Sequence, residues 1–178
     1  FVPYDKDILG DLFEYTQKVL DALGIRFGAA HTEIMLTKNG PRLIESSARM
    51  IGGPVVELAR AATGSSQADK LVEIYVDGDV HSKEYMFKKT VVPVFLKAIN
   101  QGIASNMEVL DGASQLSTLL YKYVWIKNGD HVPQTVDYLT GIGIIALAGD
   151  RESIFLDYKK IRAMESKLVF TPQLLKIR

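Results

Sequence analysis

Residues 31–53 read HTEIMLTKNGPRLIESSARMIGG, in which two apolar-rich runs are joined by a polar turn. The runs are parts of β-like segments at residues 25–37 and 42–48, separated by Lys38-Asn39-Gly40-Pro41. Asn-Gly between apolar runs strongly favours a tight β-hairpin. We therefore predict two antiparallel strands here, and their pairing determines which side chains share a face.

The length of the loop sets this pairing. With a three-residue loop at 38–40 that ends on a left-handed Gly40, Glu33 lies directly opposite Glu45. His31 then faces Ser47, and Ala29 faces Arg49. Because side chains alternate along a strand, one face carries His31, Glu33, Glu45, Ser47 and Arg49. The other, core-like face carries Ala30, Thr32, Ile34, Leu36, Ile44 and Ala48.

Two carboxylates directly across a β-ladder repel each other by about 0.2–1 kcal/mol. A divalent cation between Glu33 and Glu45 would turn this repulsion into attraction. Mg²⁺ prefers such oxygen donors, and it usually leaves coordination positions for water and phosphate. Arg49, with its planar fork, suits a phosphate or a developing oxyanion. The polar face is thus predicted to be a metal–nucleotide site.

Two alternatives stay open at this point. The polar face is solvated without any ligand if the two glutamate side chains splay apart. A two-residue Asn39-Gly40 loop shifts the register by one, which places Glu33 and Glu45 on opposite faces.

The rest of the chain reads as alternating helices and strands. Apolar residues at three- and four-residue spacing predict helices at 6–23, 55–63, 67–76, 111–119 and 151–166. Runs rich in Val, Ile and aromatic residues predict strands at 90–99, 121–127 and 143–148, with a further strand-like run at 104–109. We predict an α+β fold with two domains, residues 1–87 and 88–178.

A specific order of motifs accompanies these elements. Gly28 precedes His31-x-Glu33, the hairpin follows, and then come Gly40-Pro41-x-Leu43-Ile44-Glu45, Ala48-Arg49 and Gly52-Gly53. A helix ending Ala62-Thr63-Gly64 comes next. This order resembles the C-terminal half of the nucleotide-binding domain of the ATP-grasp superfamily, an antiparallel sheet with helices. Within the superfamily it is most similar to carboxylate–amine ligases of the L-amino acid ligase type. Residues 88–178 resemble the small α+β accessory domain that follows this core.

The resemblance implies a role for each member of the polar face. Glu33 and Glu45 would ligate the Mg²⁺ ions that bridge the phosphates of ATP, and Arg49 would be catalytic, at the transferred phosphate. The residues implied in cofactor binding are His31, Ser47, Gly52 and Gly53. Many members carry Asn two residues after the second glutamate, as a further metal ligand. Ser47 is shorter there, so contact with a second metal ion becomes water-mediated.

The implied reaction is phosphoryl transfer from ATP to a substrate carboxylate, followed by attack of an amine on the acyl phosphate. ATP, Mg²⁺ and small carboxylate and amine substrates, chiefly amino acids, are the expected ligands. The alternative substrates are those of phosphoribosylamine–glycine ligase-like, carbamoyl-phosphate-synthetase-like or biotin-carboxylase-like enzymes. A non-catalytic ATP-grasp remnant that serves as an interaction module is a further alternative.

Composition narrows the remaining classes of function. The 178 residues contain 21 Lys+Arg and 21 Asp+Glu, and this neutral balance argues against nucleic acid as a partner. No apolar run reaches the length of a membrane span. The absence of cysteine fits a reducing compartment, so we expect a cytoplasmic protein, and a homodimer is left open. Because the chain starts Phe-Val-Pro-Tyr, we expect a fragment of a longer ligase that is inactive by itself.

Overall fold

The computed structural model describes residues 6–82 and 86–172, with backbone only at 6–8. Residues 1–5, whose sequence prompts the expectation of a longer chain, lie outside these ranges. The chain divides into two compact units, Phe1–Lys88 and Lys89–Arg178. Both units combine helices with antiparallel strands, so the predicted α+β class is confirmed. Within the described ranges, every helix is too short or too polar to cross a membrane.

The first unit is a β-hairpin accompanied by three helices. Its elements are α1 (Lys6–Ala22), β1 (His31–Thr37), β2 (Gly40–Ser47), α2 (Val55–Thr63) and α3 (Gln67–Asp77). The predicted helices agree with these bounds to within one residue. The predicted strand over residues 25–30 is wrong. Gly24 and Gly28 have φ of +71° and +95°, left-handed conformations that extended backbone does not adopt, so the strand begins only at His31.

Helix α1 packs beside one face of the hairpin. The Tyr15 hydroxyl accepts a hydrogen bond from the Leu43 amide at 3.0 Å, which ties α1 to β2. Thr32 and Ile34 line a cleft of about 380 Å³ together with apolar residues of α1. Thr32 and Ile34 therefore lie on the inner face, as predicted. Three other residues predicted for that face are instead exposed: Leu36, Ile44 and Ala48.

An ion pair joins helix α2 to helix α3. The Arg60 guanidinium donates to both oxygens of Asp69, at 3.1 and 2.8 Å. Asp69 also closes a capping box with Ser66, the N-cap of α3. The hydrogen bonds from Arg60, with those from Ser66, lower the pKa of the Asp69 carboxyl to about 2. Polar contacts therefore link α2 to the start of α3.

The second unit contains six strands and two helices. They are β3 (Thr90–Leu96), β4 (Gly102–Ser105), a 3₁₀ helix (Met107–Gln115), β5 (Leu119–Val124), β6 (His131–Val132), β7 (Gly143–Gly149), α4 (Arg151–Glu165) and β8 (Val169–Thr171). The strands form two three-stranded antiparallel sheets, ordered β3-β7-β5 and β6-β4-β8. The predicted α-helix at 111–119 is corrected to this earlier 3₁₀ helix. Asn106, at a left-handed φ of 64°, ends the preceding strand, and Asn128 accepts from the Met107 amide.

A continuous hydrophobic core fills the second unit. Leu96, Leu110, Ile145 and Ile161 are among its fully buried members. Two acids of this unit are also buried, Asp157 and Glu165, and the Asp157 side chain is only 1% exposed. Burial raises the pKa of Asp157. Hydrogen bonds donated by Lys160, Thr118 and Ser117 lower the pKa by more, so it falls to about 2.

Candidate functional site

Glu33 and Glu45 lie directly opposite each other across the hairpin, as predicted. The loop that produces this pairing differs from the predicted one. Thr37 pairs with Gly40, so the loop has two residues, and the register shifts beyond Ile34, which leaves Ile44 as the extra residue of a β-bulge. The bulge restores the pairing that a three-residue loop was expected to give. Both glutamate side chains are 52% exposed.

His31 completes a compact group with the two glutamates. It starts β1, pairs with Ser47, and lies two residues from Glu33 on the same face. Its Nε2 is 3.6 Å from Glu33 Oε1, and its Nδ1 is 3.8 Å from Glu45 Oε1. One potential ligand atom from each of the three side chains lies within 4.8 Å of the other two. The structure thus joins one nitrogen donor to the pair of carboxylates.

The two carboxylates fit the cation that the resemblance implies. Carboxylate oxygens are the ligands that Mg²⁺ prefers, and two of them leave positions for water and phosphate. The Nδ1 atom of His31 is buried and has no hydrogen-bond partner among the described residues. A buried unpaired nitrogen is costly, so the local structure favours a ligand at this place.

Ser47 lies opposite His31, at the last pair of the ladder. Its side chain is partly buried. One pair further in, the hydroxyls of Thr32 and Ser46 hydrogen-bond at 2.9 Å on the opposite face. The ladder therefore brings Ser47 beside the histidine and glutamates, as predicted.

Arg49 is not part of this ladder. The predicted pairing of Ala29 with Arg49 is wrong, because the strands end at His31 and Ser47. The Arg49 side chain is exposed, and its Nη1 donates to the Met50 carbonyl at 2.9 Å. In the described part of the chain, no ion pair joins Arg49 to Glu33 or Glu45.

The glycine pair follows in the loop between β2 and α2. Gly53 has a φ of +69°, a backbone conformation that residues other than glycine rarely adopt. A Cβ atom on Gly52 would meet no atom within 4 Å, so packing does not require a glycine there. An open backbone at Gly52 allows a ligand to approach closely.

Gln67 fastens this loop to the start of the hairpin, a role that the sequence did not indicate. Its Oε1 accepts from the Ile51 amide and its Nε2 donates to the Ala30 carbonyl, both at 3.1 Å. The side chain thereby holds the segment before β1 against the segment after β2. No local pattern marks Gln67, because both partners are distant in sequence.

The chain matches only part of the length of each relative found by sequence. No family model matches the sequence. One segment of 74 residues is 40% identical to Dapdiamide A synthase of Enterobacter agglomerans, over 41% of this chain and 18% of that protein. The uncharacterized protein y4rH of Sinorhizobium fredii is 23% identical over 141 residues, which are 79% of this chain and 29% of that protein.

The solved structures match almost the whole chain. An L-amino acid ligase from Bacillus licheniformis has a TM-score of 0.72 at 19% identity, over 97% of this chain and 43% of that one. The phosphoribosylglycinamide synthetase of Anaerococcus prevotii has a TM-score of 0.68 at 15% identity, over 97% of this chain and 44% of that one. The chain has a partial ATP-grasp fold. The resemblance inferred from the motif order is therefore confirmed at the level of the fold.

A third structure supports the same conclusion. The N5-carboxyaminoimidazole ribonucleotide synthetase of Thermotoga maritima has a TM-score of 0.57 at 16% identity, over 97% of this chain and 44% of that one. This chain spans less than a third of the curated relatives and less than half of each solved structure.

Proposed function

We propose that this chain is the C-terminal portion of an ATP-dependent carboxylate–amine ligase that joins amino acids or small peptides. The observation that carries the proposal is the placement of Glu33 opposite Glu45, with His31 between them, on one face of a hairpin in an ATP-grasp fold. Similarity to an L-amino acid ligase supports this substrate class.

In this proposal the hairpin holds the reacting phosphates. Glu33 and Glu45 would bind Mg²⁺, which neutralises phosphate charge when it is present. Arg49, whose side chain is exposed, would bind the transferring phosphoryl group through its guanidinium fork. Gly52 and Gly53 let the backbone approach the substrate, while His31 and Ser47 line the nucleotide side of the face.

The chemistry balances in two steps. A substrate carboxylate oxygen attacks the γ-phosphorus of ATP, the bond to the β-phosphate oxygen breaks, and ADP leaves. The amine nitrogen then attacks the acyl-phosphate carbonyl carbon, a C–N bond forms, and phosphate departs with the C–O bond electrons. The amine loses its proton to solvent. Charge stabilisation and positioning are the protein's contribution to the first step.

Exposed apolar side chains in the first unit support the expectation that this chain is a fragment. Phe13, Met35, Leu36 and Ile44 are all more than half exposed, and Leu58 and Ala62 are the buried hydrophobic residues among those described there. A domain with so small a core needs a covering partner. We propose that residues 1–88 are the C-terminal part of an ATP-grasp domain and that residues 89–178 are an accessory domain. The remainder of the ATP-grasp domain would then cover these exposed side chains in the complete protein.

The second candidate is a ligase of the glycinamide ribonucleotide type. The TM-score of 0.68 to a phosphoribosylglycinamide synthetase is close to that of the amino acid ligase, so the fold leaves both substrate classes open. A cytoplasmic location remains a prediction.

The test is ADP release by the complete protein that contains this chain, measured across panels of amino acids, other carboxylates and amines. We expect release that requires both a carboxylate and an amine, and a fall of about 100-fold or more in Glu45→Gln and Arg49→Ala. Glu14→Gln is the matched control, because Glu14 is an exposed glutamate on α1 that pairs with Lys18. No release with any pair would contradict the ligase proposal and favour the non-catalytic remnant.

A further inference from the structure

The segment that joins β2 to α2, residues 48–53, contains the arginine and the glycine pair of the proposed active site. The β-ladder does not hold this segment, because its last pair is His31 with Ser47. None of residues 48–53 is buried, so packing against a core does not fix the segment either. The Arg49 guanidinium donates to the carbonyl of the adjacent Met50, which is a bond within the segment itself. The position of the segment relative to the glutamates therefore depends on another contact.

The side-chain amide of Gln67 supplies this contact. Its Oε1 accepts from the Ile51 amide and its Nε2 donates to the Ala30 carbonyl, both at 3.1 Å. Ala30 directly precedes the first residue of β1, so the bridge lies just beyond the end of the ladder. One donor and one acceptor are used, as in a peptide group. Within residues 6–82 and 86–172, no other hydrogen bond joins residues 48–53 to a different part of the chain.

The bridging residue is itself firmly anchored. Gln67 is the first residue of α3 and follows the N-cap Ser66, whose capping box with Asp69 fixes the first turn of the helix. Arg60 of α2 holds Asp69 through two further hydrogen bonds. The start of α3 is thus tied to α2, and the Gln67 amide extends from a fixed base.

A cavity of about 520 Å³ adjoins the bridge. It is lined by Ile51 and Gln67, together with His31 and apolar residues of α1 and α2. The cavity leaves the Ile51 side chain room to move if its amide loses the hydrogen bond. The hydrogen bond to Gln67, more than packing, therefore determines where Ile51 and the glycines next to it lie.

We propose that Gln67 is a positioning residue of the ligase reaction, which sets the distance between residues 48–53 and the hairpin face that carries Glu33 and Glu45. The inference rests on the proposed function, because that function places the carboxylate substrate at residues 48–53 and the phosphates at the glutamates. Attack of a carboxylate on phosphorus requires both groups to be held in line and close together. Loss of the bridge weakens binding of the carboxylate and slows its phosphorylation, whereas ATP, which is held through the ladder, binds as before.

The test is the steady-state rate of ADP release by the complete protein and by its Gln67→Leu variant, with ATP and the carboxylate substrate varied in turn. Leucine is similar in size and removes both hydrogen bonds. We expect the KM for the carboxylate to rise about tenfold, with a fall in kcat, and the KM for ATP to stay within about twofold. Gln17→Leu is the matched control, because Gln17 is exposed on α1 and donates to Asp21.

A merely structural role for Gln67 gives a different result. Partial unfolding lowers the amount of active protein, so kcat falls while both KM values stay unchanged. That result would overturn the proposal, and so would an equal rise in the two KM values.

A second variant covers the case in which Gln67→Leu does not fold. Gln67→Glu has the shape of the wild type, keeps the acceptor for the Ile51 amide and loses the donor to Ala30. We expect its KM for the carboxylate to rise about threefold, and a wild-type KM would refute the bridge. ADP release by the wild type with unchanged KM values in the variants removes the role of Gln67 and keeps the ligase. No release by the wild type with any substrate pair removes the ligase and, with it, this role of Gln67.

Discussion

Replacing Glu33 with Gln tests whether the carboxylates of Glu33 and Glu45 repel each other across the ladder. The relevant oxygens of Glu33 and Glu45 lie within 4.8 Å, and both side chains are half exposed. At 4.8 Å, Coulomb's law gives a repulsion of about 0.9 kcal/mol in a water-like dielectric. Gln keeps the shape of the side chain and removes the charge. We therefore expect the hairpin of Glu33→Gln to be about 0.9 kcal/mol harder to open when no divalent cation is present.

Amide hydrogen exchange in β1 and β2 measures this opening locally. In the presence of EDTA and at low salt, 0.9 kcal/mol corresponds to exchange that is about fourfold slower in the variant. The difference should shrink near 1 M salt, where the screening length falls to about 3 Å. Adding Mg²⁺ should reverse the order, because only the wild-type chain keeps both carboxylate ligands.

The matched control is Glu57→Gln. Glu57 is an exposed glutamate on α2, and its carboxylate lies 4.0 Å from Arg60. Removal of its charge should leave hairpin exchange unchanged. If Glu33→Gln instead leaves hairpin exchange unchanged or accelerates it in EDTA, the two carboxylates do not repel each other, and the structural argument for a cation between them fails.

Three further predictions concern the scaffold. The ionised Asp157 carboxylate should stabilise the wild type above about pH 4, and this stabilisation should be lost as the pH falls toward 2. In urea titrations followed by Trp125 fluorescence, the free energy of unfolding should therefore fall by about 2 kcal/mol more in the wild type than in Asp157→Asn between pH 5 and 2. Equal pH profiles would refute the buried network. Ser66→Ala should cost α3 about 1 kcal/mol, seen as faster amide exchange in that helix, whereas unchanged exchange would mean that the cap is dispensable. Gln67→Ala should speed exchange at the Ile51 amide, whereas unchanged exchange there would mean that the hydrogen bond to Gln67 is dispensable.

The hairpin shows how far local pattern predicts this site. The alternation of residues and the Asn-Gly turn predicted that Glu33 and Glu45 share a face, and they do. The loop length was wrong, and a bulge at Ile44 compensates for it. The Leu43 amide, beside that bulge, donates to Tyr15 on α1. Such a tertiary contact helps to determine where a strand accommodates an extra residue, and no local pattern encodes it.

The other differences between prediction and structure also involve features that the local sequence does not encode. Apolar residues at 25–30 resemble a strand, but the left-handed Gly28 gives the segment a turn that only the folded chain displays. Arg49 follows the strand pattern in sequence, yet the ladder ends two residues earlier. The unpaired Nδ1 of His31 depends on burial, which the sequence does not specify. The helices of the first unit were easier to predict, because their apolar spacing and their glycine stops are local. The helix predicted at 111–119 was less accurate, because it is a 3₁₀ helix that starts at Met107.

Transfer of oxygen-18 from the substrate to phosphate tests whether an acyl phosphate forms. The complete protein is incubated with ATP, an amine and a carboxylate substrate labelled with oxygen-18 in its carboxyl group. Formation of an acyl phosphate moves one carboxylate oxygen to phosphorus, so we expect one oxygen-18 atom in each released inorganic phosphate. Unlabelled phosphate, or AMP in place of ADP, would contradict it.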